Sequence, residues 1–430
     1  MKYNIWVFLW AIALFVISFA VNRADFPLVI GTYTVAFVAY FYLCYDKNVE
    51  EKGIQHLIIF SVLIRGIIVF AFPFFSDDIY RFWWDGKLLA QGINPFAETP
   101  RYYIDNQLFT DDFSKSVFLK LNSPDYYSVY PPVCQAIFTL SYWLFPKSIY
   151  GAAIVIKGFI FLCEIGTISI LKKLSSPKKT LLYALNPLII IELCGNAHFE
   201  GAMIFSFVAC LYLLFDKENI STKRFLAAAF LLALSVAAKL LTLIFLPLIF
   251  KKLGIQKGVV FSIAVAVFIA VLFFPFINTT FIVHFGESLN LYFQKFEFNA
   301  SLYYIVRTIG KAYYGYAPTI QISYLLKIFT LAAVAYFFFK KGDFFQQAFL
   351  FFTCYLLFQS TVHPWYLSTL ILLSVFVPFR YGILWSGVIM LSYIHYWNNQ
   401  YQENYWLIAL EYCIIIVCFY GEIISRFSKK

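Results

Sequence analysis

Charge is scarce in this chain. Asp, Glu, Lys and Arg make up 13% of its 430 residues, against about 25% in an ordinary soluble domain. With 62% of residues hydrophobic, there is more apolar surface than a soluble core of this length can bury. Long alternating apolar–polar stretches are also missing, which argues against a transmembrane β-barrel. No C-x-x-C occurs; the eight cysteines are scattered through apolar runs, so neither a zinc site nor a disulfide framework is indicated. No internal repeat, low-complexity tract or separate soluble domain is visible, so nothing points to an inverted-repeat transporter.

What is present is a series of long apolar runs. "IWVFLWAIALFVISFAV", "GVVFSIAVAVFIAVLFFPF" and "YLLKIFTLAAVAYFFF" reach or approach the roughly 20 residues a helix needs to cross a bilayer. The pattern predicts an all-α, polytopic transmembrane helical bundle of about 12–15 spans within a single integral membrane domain, 1–430. Spans are expected near 3–21, 27–45, 56–75, 149–171, 180–195, 199–215, 225–237, 239–250, 258–276, 320–339, 344–361, 365–380, 382–397 and 405–424. The first resembles a signal peptide, but Arg23 and Asp25 are followed at once by another apolar run, so an uncleaved helix is expected.

The net charge of +10 does not mark a nucleic-acid partner, because the basic residues sit in short loops. "DKNVEEK", "KKLSSPKK", "DKENISTKR", "KKLGIQK", "KKGD" and the tail "SRFSKK" have the bias of cytoplasmic loops. That places the remaining connections outside: 76–128, the "GNAHFE" turn, a break at 238–239, 277–319, "STVHPWY" and "YWNNQYQEN". Segment 129–145 is long enough for a short span, and a full crossing puts "KKLSSPKK" outside, so either it lies oblique or half-way in or that loop breaks the charge rule; one long tilted helix around Ala237 and Lys239, the alternative to a break there, shifts the parity again. The outer segments 76–128 and 277–319 mix aromatic and polar residues, as amphipathic helices lying in the membrane interface do. The Phe-, Ile-, Lys-, Asn- and Tyr-rich composition points to a bacterial chain, hence the cytoplasmic membrane.

Several polar groups stand out. In "FFSDDIYRFWWDGK", Asp77 and Asp78 occupy the lip of a span. They either cap the following helix or supply a general base and a carboxylate that orients it. Paired aspartates also offer hard oxygen ligands to Mg²⁺ or Mn²⁺, although one pair supplies too few ligands alone. Arg65, Lys157 and Glu164 lie inside spans, where charge is costly; an internal Arg65–Glu164 or Lys157–Glu164 pair is expected. Lys239 either snorkels or sits at the outer lip to hold a phosphate. His198 and Glu200 crowd the "GNAHFE" turn, and "YPPVCQ" begins with Tyr130 before two prolines that delay a helix start. In "HPWY", Trp365 and Tyr366 read as belt aromatics, and His363 as a phosphate or sugar ligand or a structural ring.

In chain order these stretches resemble the GT-C class of multi-pass glycosyltransferases that use polyprenyl-phosphate sugars. The nearest resemblance is to mannosyltransferases using dolichyl- or polyprenyl-phosphate mannose, including the enzyme that adds the first mannose of the GPI anchor. The motifs are "SDDIYRFWWDGKLLAQGINPF", "VYPP", "GNAHFEGA", the "KLLTLIFLP" span and "HPWY". Two features depart from the pattern: Asp-Asp replaces Asp-x-Asp, and the proline lies farther from Lys239. The resemblance implies transfer of a hexose, mannose foremost, from a polyprenyl-phosphate donor to a lipid or glycan acceptor on the outer face. It makes Asp77 and Asp78 catalytic, and Lys239, Arg81, His198, Glu200, His363, Tyr130 and Trp365 substrate-binding. A lipid-linked glycan flippase, which would depend on Arg65, Lys157 and Glu164, and an O-antigen-type polymerase or ligase are the competing readings.

Overall fold

The computed structural model describes residues 2–46, 49–215, 220–294 and 296–427. Parts of "DKNVEEK" and "DKENISTKR", the end of "SRFSKK", and Lys295 lie outside the described residues. The described chain is helical throughout, and its one bridge between extended residues joins Phe298 to Thr361.

The N-terminal helices are α1 (Lys2–Phe19), α2 (Phe26–Tyr45) and α3 (Glu51–Ile68). Next come three short helices, α4 (Asp78–Ala90), α5 (Pro100–Asp105) and α6 (Asp112–Phe118). Then follow α7 (Pro132–Leu144), α8 (Ile149–Leu174), α9 (Pro177–Ala184) and α10 (Glu200–Phe215), with a π-helical turn at Ile189–Gly195. The chain continues through α11 (Thr222–Ala238), α12 (Leu246–Leu253), α13 (Ile255–Phe273), α14 (Thr279–Gln294) and α15 (Leu302–Tyr314). It closes with α16 (Thr319–Phe339), α17 (Phe344–Leu357), α18 (Ser368–Ser374), α19 (Tyr381–Val388) and α20 (Tyr405–Phe427).

Five of these helices are long and apolar enough to cross a membrane, or six if the pair Ile189–Gly195 and Glu200–Phe215, bent by 110°, counts as one broken span. Other predicted spans are assembled from shorter pieces. The predicted break at 238–239 is real: α11 ends at Ala238, and Lys239 adopts extended backbone before a 3₁₀ turn leads into α12.

Side-chain contacts gather the basic loops at one end of the bundle. Lys178 donates to the Asp46 carbonyl (2.7 Å) and Arg380 lies over the Tyr45 ring. Lys173 covers Tyr212, Arg224 bonds the Tyr212 carbonyl, and Lys251 reaches Gln347 at 2.9 Å. Serine and aspartate caps start several helices there: Ser176 for α9, Ser221 for α11 and Asp343 for α17. Each satisfies an amide that the first helical turn leaves open. Gly254, at φ +78°, turns α12 into α13, a left-handed conformation natural to glycine.

Segment 129–145 begins and ends away from that basic end. Cys134, in the first turn of α7, donates to the Ala238 carbonyl (3.2 Å), while Tyr150 at the start of α8 donates to the Phe70 carbonyl (2.8 Å). Both ends of α7 therefore lie away from the basic loops, and α8, long and apolar enough to cross a membrane, runs from there to Lys173. α7 packs on α4 so closely that a Cβ added to Gly86 would meet the Phe138 carbonyl carbon at 2.6 Å. Backbone cannot yield there, and overpacking typically costs about 1–3 kcal/mol. Gly86→Ala is expected to lower the thermal unfolding midpoint in detergent, whereas Gly92→Ala, with no neighbouring atom in reach of its Cβ, pays only for its positive φ.

The buried charges are matched internally. Arg65 pairs with Glu164 (3.2 Å), which also accepts from the Tyr183 hydroxyl (2.6 Å). Lys157 does not join that pair; its ammonium takes the Ile68 carbonyl at 2.8 Å and the Ala71 carbonyl, where α3 ends. The break between α9 and the π turn leaves carbonyls that lipid could not satisfy. Trp10 takes Leu185 (2.9 Å), Tyr40 takes Leu182 (2.8 Å) and Arg65 takes Ala184 (2.6 Å).

Candidate functional site

At the end of the bundle opposite the basic loops, the polar motifs meet. The 110° bend between the π turn and α10 is made by "GNAHF", with Ala197 at φ +62°. Asn196 bridges the Phe75 amide and the Ile191 carbonyl, which fixes the bend against the end of the α3–α4 connection. The bend puts His198 and Glu200 into the interior. Glu200 forms an ion pair with Lys239, delivered by the break after α11. The Glu200 side chain is fully buried, and its second carboxylate oxygen has no hydrogen-bond partner among the described residues. The Lys239 side chain is about one-third exposed, and its ammonium also lies 5.3 Å from the Tyr366 ring centre.

"HPWY" packs over the same bend. The Trp365 ring stacks on His198 at 3.9 Å and on His363 at 4.3 Å, so a tryptophan separates two imidazoles. Burial, followed by the nearby Lys239, His198 and His395, holds His363 well below the usual histidine range, so it is neutral at pH 7. Glu192, from the π turn, approaches His198 Nδ1 at 3.3 Å and accepts from the Tyr393 hydroxyl at 2.7 Å.

The two aspartates border this cluster. Asp77 occupies the cap position of α4, yet its side chain makes no capping hydrogen bond. It pairs with Arg23 from the α1–α2 connection. Asp78 accepts from Asn122 Nδ2 at 2.9 Å. The charges of Asp78 and Glu200 both reach the Tyr366 hydroxyl, and those of Asp77, Asp78 and Glu192 reach Tyr396.

Arg81 and Tyr130 sit elsewhere on the same end. Arg81 is buried and pairs with Asp85 (2.7 Å) one turn along α4, and it donates to the Ser123 (3.1 Å) and Tyr126 (2.8 Å) carbonyls. Asp85 also accepts from Ser128 (2.5 Å) and Gln135 (3.2 Å). This network folds the 119–130 stretch back onto α4. Tyr130 packs edge-on against Phe82 at 5.0 Å. Asp111, at the cap of α6, ties down the far side of α4. Burial pushes its carboxyl up, but hydrogen bonds from Lys87 and Ser114 outweigh this and hold it at about 2.

The structure thus joins His198, Glu200, Lys239, His363 and Trp365, sets Asp77 and Asp78 beside them, and keeps Arg81 in a network of its own. Sequence reading passed over Arg23, Glu192, Tyr393 and Tyr396. Glu192 carried a signal, a carboxylate inside "PLIIIELCG", where a charge is costly. The tyrosines carried none. As for a divalent cation, no group of three His, Cys, Asp or Glu side chains able to hold one occurs among the described residues. With Asp77 held by a guanidinium, the aspartate pair does not form a cation cage.

No curated protein and no solved structure matches the chain. A family model does: that of the N-terminal domain of the MptA/B family, alpha-(1→6)-mannopyranosyltransferase, over residues 14–253. The matched stretch runs from the first helix to the end of α12 and includes Asp77, Asp78, His198, Glu200 and Lys239. It covers more than half of a chain already seen to be a helical membrane protein, and the chain therefore belongs to this GT-C-type family of mannosyltransferases.

Proposed function

We propose that this mannosyltransferase takes its sugar from a polyprenyl-phosphate donor and passes it to a lipid or glycan hydroxyl on the outer face of the cytoplasmic membrane. The observation that carries this reading is the convergence of Asp77–Asp78, Lys239–Glu200 and the His198–Trp365–His363 stack at the end of the bundle away from its basic loops. Those loops have the charge bias of cytoplasmic segments. A carrier whose tail lies in the bilayer presents its sugar phosphate at that level, which accounts for carboxylates and an ammonium beside long apolar helices.

In this mechanism Asp77 accepts the proton of the acceptor hydroxyl. The oxygen attacks the anomeric carbon as the carbon–oxygen bond to phosphate breaks, and the polyprenyl phosphate leaves with that electron pair. Lys239 neutralises the departing phosphate, and Asp78 helps to orient the acceptor. Glu200 steers Lys239, while the neutral His363 offers hydrogen bonding to the sugar and the Tyr130 ring and the Trp365 edge offer apolar contact. The leaving group is a phosphate monoester, so positioning and one base carry most of the catalysis. In-line displacement inverts the anomeric centre, so an α-linked product requires a β-linked donor.

The test uses the purified protein in detergent with a mannoside acceptor. β-Polyprenyl-phosphate mannose is expected to support transfer with release of polyprenyl phosphate, and GDP-mannose is not. Transfer from GDP-mannose, or from the α-linked lipid donor, overturns the reading.

A further inference from the structure

Arg23 is the residue that nothing in the motif order singles out, and it touches the aspartate proposed as the base. It lies in the short connection between α1 and α2, and its side chain is mostly buried, at 14% exposure against 39% for Asp77. Two distant parts of the chain, the 75–77 segment and Tyr396, fix the guanidinium. It pairs with Asp77, donates to the Phe75 carbonyl at 3.3 Å, and lies over the Tyr396 ring at 4.7 Å. The connection itself is tied to the same region, since the Asn398 amide donates to the Ala24 carbonyl at 3.0 Å. An exposed ion pair between two flexible side chains contributes little; a fork held by a carbonyl and a ring has its geometry set beforehand.

The consequence shows at Asp77. An aspartate at a helix cap ordinarily turns its carboxylate back onto the free amides of the first turn. Here the cap position is filled but that bond is not made; the Asp78 amide is taken by the Ser76 hydroxyl at 3.3 Å instead. The carboxylate is turned outward, to Arg23. The groups facing Asp77 are Arg23 from the α1–α2 connection, Tyr80 and Asp78 from its own helix, and Tyr396 from the segment after α19. Tyr401 lies within electrostatic reach of Arg23. Arg23 is the one cation among them.

We propose that Arg23 is the positioning residue for mannosyl transfer, holding the Asp77 carboxylate off the helix cap in the orientation from which it takes the acceptor proton. This rests on the assignment of Asp77 as the base. It goes further by giving the α1–α2 connection a part in the reaction. With Arg23 removed, the carboxylate loses the fork that fixes its direction, and it faces the acceptor hydroxyl for a smaller fraction of the time.

The experiment compares Arg23→Met, Arg23→Lys and Asp77→Asn in the purified full-length protein, with β-polyprenyl-phosphate mannose as donor. Arg23→Met is expected to lower kcat about tenfold, with donor KM within about twofold, as lost orientation predicts. Arg23→Lys, which keeps the charge but loses the fork, should recover part of kcat. In an Asp77→Asn background, Arg23→Met should have no further effect on the residual rate. A kcat within about twofold of the parent's, or an equal loss with and without Asp77, overturns the proposal and leaves Arg23 as a structural tie. If Arg23→Met fails to fold, the Arg23→Lys profile decides: kcat unchanged, or lowered only in step with the folded fraction, refutes positioning. Normal transfer by Asp77→Asn would instead refute the base assignment itself.

Discussion

Asp77→Asn is expected to reduce transfer from a polyprenyl-phosphate mannose by about 10²–10⁴-fold, the range that a positioned general base contributes. The amide keeps the size of the carboxylate but cannot take the acceptor proton. Binding of the lipid donor should survive, because nothing proposed for the phosphate or the tail involves Asp77. The variant also loses its ion pair with Arg23, but the amide oxygen still accepts from the guanidinium, so the folded fraction should be close to that of the parent. Asp78→Asn separates the two neighbours. Asp78 keeps to Asn122, and its loss should reduce the rate by much less. Transfer at the parental rate by Asp77→Asn, or a collapse only in Asp78→Asn, would move the base to another residue. A flippase would tolerate both changes and would depend on the interior charges.

Those interior charges carry the second large effect. Arg65→Met is expected to destabilise the protein by about 3–5 kcal/mol, the cost of leaving a buried charge without its partner. Glu164 is fully buried and would retain only the Tyr183 hydroxyl. The same change uncovers the Ala184 carbonyl at the break between α9 and the π turn, within a region where no water replaces the lost donor. The measurement is the unfolding free energy in detergent micelles, and the control is Arg65→Met combined with Glu164→Gln. Removing both charges should restore a large part of the loss, since an apolar or neutral replacement of a whole buried pair is often tolerated. Full activity and stability in the single variant would mean that the pair does not hold the broken helix.

Much of this molecule was legible before its coordinates. Membrane helices follow from local composition, because a run of apolar residues has no other stable place. The break at Lys239 was readable because a charge inside "LSVAAKLLTLIFLP" cannot stay at the bilayer centre cheaply. For 129–145 the parity of the basic loops left a half-way course and a broken charge rule both open, and the packing of α7 and α8 puts both ends of the segment away from the basic loops. Motif order was enough to bring up the mannosyltransferase class. An expected Arg65–Glu164 pair formed, although the sequence left Lys157 as an equal claimant, and only the end of α3 beside it decided the matter.

Sequence alone determined the class of the chain: a helical membrane protein, its polar motifs and the chemistry their side chains permit. The tertiary structure decided which charges meet. Arg23 and Asp77 are 54 positions apart, Lys239 and Glu200 are 39 apart, and no periodicity links either pair. By contrast Arg81 and Asp85, at i and i+4, satisfy each other within one helix. Hydropathy acts over one turn or one span and is written in neighbouring letters. Ion pairing acts over a few ångströms in space, so which carboxylate faces which cation is known only once the helices that carry them are packed.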